Sequence, residues 1–223
     1  MNTVCLWSGG KDSAYAFYLA RTAGQHIKAL ISFLDEEGAV SRSHGLSAEV
    51  IALQAEATGM PHLSRAMPQR NFEGDFKDWI ALLKKEIGLE AMIFGDIHLQ
   101  EHKQWIERVC RETEILPLLP LWGRNPKGLA EEILASGFKA VVVSTRADVL
   151  GEEWLGKPYD PSFLETLPPG TDPLGEKGEF HTFVYDGPIF QRPFHFHPGE
   201  KRQKEGHWFL EIVLDGGSAG DEP

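Results

Sequence analysis

The chain has 223 residues, 42% apolar and 25% charged, which suits one or two globular domains with a sizeable core. Its formal net charge of -11 argues against a broad phosphate-backbone surface, which needs clustered Lys and Arg, so nucleic acid is an unlikely partner on composition. Two cysteines, Cys5 and Cys110, form no CxxC pair and supply neither a disulfide framework nor a zinc site by themselves, so a cytoplasmic setting is expected.

The sequence shows no basic-then-apolar leader and no apolar run of ~20 residues, so no membrane span is expected. In chain order, residues 3–7 (TVCLW) read as a buried strand, and 11–24 as a helix with Gly24 as its stop. Residues 27–34 form the next strand; 47–60 form a helix with Ser47 as N-cap and Gly59 as its end. Residues 62–67 suit a short strand. The segment 75–88 is an amphipathic helix with Phe76, Trp79, Ile80, Leu83 and Ile87 on one stripe. A strand at 91–96, a helix at 101–113, a proline-broken strand at 115–122, a helix from Pro126 and a strand at 139–145 complete the alternation. Strand–helix alternation through Arg146 predicts a parallel sheet covered on both faces.

Beyond it the character changes. Residues 167–180 are dense in Pro and Gly and predict a loop; 180–190 and 192–215 predict antiparallel strands. The expected division is an α/β domain at 1–146, a C-terminal region with antiparallel strands at 147–215 and a flexible tail at 216–223.

The stretch SGGKDS, Ser8 to Ser13, falls where the first strand gives way to the first helix. Unpaired N–H groups at a helix start carry partial positive charge. Gly9 and Gly10 leave them open, Ser8 and Ser13 add hydroxyls, Lys11 adds a cation, and Asp12 a carboxylate. The result is a cradle for phosphate. The common P-loop pattern fails, because Cys5 stands at its first glycine and Asp12 at its Ser/Thr. Further on, Glu179 and His181 are two apart, which on a strand puts them on one face with Phe180 and Thr182 on the other. A carboxylate beside an imidazole suits acid–base work or a structural capping pair. Asp96 ends a parallel strand, where ligands gather; it can meet magnesium or the acceptor, or cap the next helix. His98, Glu101 and His102 fit H-x-x-E-H, a zinc-peptidase pattern out of context at the start of this helix, and no metal-ligand set is expected.

SGGKDS resembles the SGGxDS signature of the PP-loop ATP pyrophosphatases. GEKGEFHTFVYDGP (Gly175–Pro188) is similar to a segment of the diphthine–ammonia ligases, as are Phe94–Cys110, Pro120–Gly123 and Trp154–Lys157. The segment around His44 matches only in part. The resemblance implies a HUP-like, doubly wound, Rossmann-like parallel sheet with a smaller C-terminal α+β substrate domain. It implies an ATP- and Mg²⁺-dependent amide ligase: ATP on Ser8, Gly9, Gly10, Lys11, Asp12 and Ser13, an adenylated carboxylate, and free ammonia as nitrogen source. Lys11, Asp12, Glu179 and His181 would be catalytic, and Asp96, Glu176 and Thr182 would bind substrate. The acceptor would be diphthine on a translation elongation factor. A PP-loop ATPase acting on a small carboxylic acid or tRNA base, or a non-catalytic adenine-nucleotide-binding protein, remain alternatives. A homo-oligomer stays open.

Overall fold

The structure, a computed structural model, describes residues 1–215; the expected tail lies outside the described residues. Its first part runs β1 (Asn2–Leu6), α1 (Lys11–Thr22), β2 (His26–Leu34), α2 (Ala48–Glu56), β3 (His62–Ala66), α3 (Phe72–Ile87), β4 (Ala91–Ile93), α4 (Gln100–Glu112) and β5 (Leu116–Leu118). The five strands form a parallel sheet in the order β3-β2-β1-β4-β5. Chain order reverses between β1 and β4, the place where such sheets open a crevice beyond their carboxyl ends.

Alternation along the strands fills two cores. Val4, Ala29, Ile31, Met92 and Phe94 face α3 and α4. Their neighbours Cys5, Leu30 and Ile93 face α1 and α2. Side chains on a strand point alternately to its two faces, so both faces are buried and the sheet is doubly wound. Local chemistry sets the helix ends. The Ser47 hydroxyl accepts from Val50 N at 3.2 Å, and Gly88 ends α3 at φ 63°, a conformation glycine adopts without steric cost.

The second part comprises α5 (Pro126–Ala135), β6 (Lys139–Arg146), α6 (Pro161–Thr166), β7 (Phe180–Asp186), β8 (Phe196–Lys204) and β9 (His207–Leu214). Its strands form an antiparallel sheet in the order β7-β6-β9-β8. The expectation that residues 139–145 extend the parallel sheet is corrected here. β6 lies between β7 and β9, so the change of sheet falls between β5 and β6, ahead of residue 146. The Ala140–Val143 run is buried throughout, and periodicity marks such a run as a strand without naming its partners.

One core joins the two sheets. Tyr15 and Tyr18 on α1 meet Phe138 edge-on at 5.7 Å each. The core that takes in Ala14, Phe17 and Leu30 also contains Val142, Phe183 and Leu210. Among the described residues no helix is long and apolar enough to cross a membrane.

Candidate active site

The turn after β1 is built as the sequence suggests. Gly9 adopts φ +82°, and a Cβ there would lie 2.8 Å from Leu46 Cδ1, so both backbone and space demand glycine. The Gly9 carbonyl accepts from Gln54 Nε2 and from Val184 N, each at 3.0 Å. Ser8 Oγ and Ser13 Oγ are 3.0 Å apart, and Ser13 Oγ donates to Gly10 O at 3.0 Å. Lys11 N donates to Thr182 Oγ1 at 3.1 Å, so a side chain of β7 caps the first amide of α1. Among the described residues no backbone carbonyl outside the helix accepts from the Asp12 or Ser13 N–H groups. The strand-end residue Gly95 approaches them so closely that a Cβ on it would lie 3.1 Å from Ser13 N. The carboxyl ends of β1 and β4 therefore meet at the start of α1.

Lys11 departs from expectation. Its ammonium is not free above the turn; the side chain is 2% exposed and lies 3.0 Å from Asp12 Oδ2. It donates to the Leu174 carbonyl and lies over the Tyr159 and Phe180 rings at 5.3 and 5.1 Å. A buried ammonium needs a carboxylate and carbonyl partners, and the loop before β7 supplies the carbonyl. Burial raises the Asp12 pKa, opposed by Lys11 and helped by Asp172. Asp12 Oδ1 is buried without a partner among the described residues.

Three more carboxylates surround this point. Glu176 Oε1 accepts from Ile97 N at 2.9 Å and His98 N at 3.4 Å, tying the loop before β7 to the segment after β4. Burial pushes its carboxyl up to about 7 against those bonds, with the Asp12 and Asp96 charges adding to the rise. Asp96 pairs with His102 Nδ1 at 3.1 Å, and Asp172 with His98 Nε2 at 3.1 Å. Asp96 does not cap α4: the capping position is Leu99, and the preceding amides belong to Glu176. His98 and His102 are thus drawn to separate carboxylates. Arg124 is held by Glu132 on α5.

Glu179 and His181, expected to share a strand face, meet different partners. Glu179 is buried just ahead of β7, and its carboxylate accepts from Lys177 N at 3.0 Å and Asp172 N at 3.3 Å. It stitches the 172–179 loop through those two amides. The neighbour of His181 is His44, with ring centroids 4.6 Å apart. His44 lies over the turn, with Nε2 3.5 Å from Ser8 Oγ. Burial lowers the pKa of both rings, that of His181 to about 4 with help from the Lys11 and His207 charges. Both are neutral at pH 7. Sequence reasoning missed the placement of His44 and the whole role of Gln54. One signal for Gln54 was readable: it lies three and four residues beyond Ile51 and Val50, on the buried stripe of α2.

Family models for the N-terminal and C-terminal domains of diphthamide synthase match residues 1–117 and 125–214. The chain is 30% identical over 217 residues to a diphthine–ammonia ligase of Mus musculus, covering 86% of this chain and 81% of that protein. It is 29% identical to the Homo sapiens protein of the same name, with the same coverage. Among solved structures, one described as a predicted subunit of a tRNA methyltransferase from Methanocaldococcus jannaschii superposes with a TM-score of 0.44 at 19% identity, covering 64% of this chain and 80% of that one.

Proposed function

The chain belongs to the diphthamide synthase family, and from that premise we propose that it is an ATP-dependent carbon–nitrogen ligase of the diphthine–ammonia type. The observation that carries this reading is the turn at Ser8–Ser13. It stands at the switch point of a parallel sheet, with the opening amides of α1 and two hydroxyls side by side. That arrangement suits the pyrophosphate half of ATP.

The acceptor carboxylate attacks the α-phosphorus, the bond to the bridging oxygen breaks, and pyrophosphate leaves with its charge on the turn. Donors fixed where charge gathers lower the barrier without reorganising. Lys11 fixes the Asp12 carboxylate, 3.0 Å away. A magnesium ion fits beside Asp12, whose Oδ1 has no partner among the described residues, because Mg²⁺ needs only one or two carboxylates plus phosphate oxygens. Bound there, it would neutralise phosphate charge. Ammonia then attacks the acyl carbon of the adenylate and AMP departs. The surplus proton needs an acceptor whose pKa lies near the working pH. Glu176, pushed up to about 7, meets that need better than His181 at about 4. The region 147–215 supplies Glu176 and His181 to the acceptor side, while Thr182 caps α1. The acceptor is diphthine on a translation elongation factor, and the two buried free thiols suit a cytoplasmic setting.

The test is turnover of the full chain with ATP, ammonium and a diphthine-bearing elongation factor. AMP, pyrophosphate and the amide should appear in equal amounts. ADP and orthophosphate in their place, or ATP binding without any turnover, would refute the reading; the second result makes the chain a nucleotide-binding protein only.

A further inference from the structure

Gln54 is fully buried on α2. Its Nε2 donates to Gly9 O at 3.0 Å and to Val184 O at 2.7 Å. Both neighbours are carbonyls, so the amide must present its NH₂ to them, which fixes its orientation. Oε1 has no partner among the described residues and faces Gly9, where an added Cβ would lie 3.0 Å from it. Val184 N also donates to Gly9 O, at 3.0 Å.

The Gly9–Gly10 peptide is flanked by two residues without Cβ atoms, so little in the chain itself resists its rotation. In a trans peptide the C=O and N–H point in opposite directions. Two donors on the Gly9 oxygen therefore decide where the Gly10 N–H points. It points to the Ser8 side of the turn, where Ser8 Oγ accepts it at 3.4 Å. We propose that Gln54 is a positioning residue for the phosphate turn: by holding the Gly9 carbonyl against β7, it presents the Gly10 N–H to the pyrophosphate portion of the nucleotide. This rests on the reading that the turn binds that portion.

The test is calorimetric binding of ATP, inorganic pyrophosphate and adenosine to the full chain, unmutated and as Gln54→Met and Gln54→Glu. Methionine keeps the length and removes the donor; glutamate sets an acceptor against two carbonyls. Losing one hydrogen bond to an anion should raise the Kd for ATP and pyrophosphate about tenfold or more. Adenosine affinity should stay roughly as it was, since adenosine has no phosphate for the turn to hold. An equal loss for all three ligands would show only a packing role and overturn the proposal, as would unchanged pyrophosphate affinity in a folded variant. In the unmutated chain, the Gly10 amide resonance should move on adding pyrophosphate; a stationary resonance overturns the proposal even if the variants fail to fold. An unmutated chain that binds no pyrophosphate defeats the phosphate-turn reading itself. One that binds pyrophosphate, with variants unaffected, defeats Gln54 alone.

Discussion

His181 and His44 are two imidazoles held neutral beside the Ser8–Ser13 turn. The pKa of His181 falls from 6.5 to about 4, chiefly through burial. The unfolded chain therefore takes up this proton first, and the stability His181 contributes is full above pH 6.5 and is lost as pH falls through about 4. His181→Asn should flatten the pH dependence of the denaturant midpoint across that window. An unchanged slope would show that burial does not hold the ring neutral. At this scale the sequence is a partial guide. Ser8, Gly9, Gly10 and Ser13 are found where a strand–turn–helix reading puts them. Thr182 is found on the face opposite His181, as alternation requires. Glu179 is not, because its partners are loop amides whose course no periodicity describes. Lys11 is legible as a cation but not in its direction, since Leu174 lies 163 residues away in sequence.

The turn and its neighbours form an element packed to its limits. A Cβ at Gly10 would overlap His44 Nε2 and come within 3.1 Å of the Thr182 carbonyl. Gly10→Ala should therefore cost about 1–3 kcal/mol by overpacking. Adding His44→Ala should recover part of that loss, a coupling that a double-mutant cycle in denaturant measures. Simple additivity would mean that His44 does not roof the turn. Helices and strands of the first part are readable because each carries its own period and stop signals. β6 is readable as a strand and misassigned as to sheet, because both its partners come later in the chain. The short helix α6 has no counterpart among the elements expected from the sequence. Yet Asp160 accepts from Phe163 N at 2.8 Å and Pro161 opens the helix, a start signal that was there to read.

In the whole molecule, α1 lies between the two sheets and both bury it. A fragment ending at residue 123 would uncover Tyr15 and Phe17, which are buried in the intact chain, and would lose Phe138 from the face of α1. It should keep much of its far-ultraviolet dichroism, lose the near-ultraviolet signal and bind no ATP. A fragment with sharp tertiary signals and intact ATP affinity would show that the parallel sheet is self-sufficient. The two matched family models suggest separable halves, but the shared core ties them.

Among the described residues the outer rim of β7 pairs with no further strand; instead Val184 N and O are met by Gly9 and Gln54. A sheet border is thus sealed by the same loop that would grip the nucleotide. Damage to the hairpin half has a route to the triphosphate without touching it, and neither half can be grafted onto another scaffold with its grip intact: hasp and lock have to be inherited together.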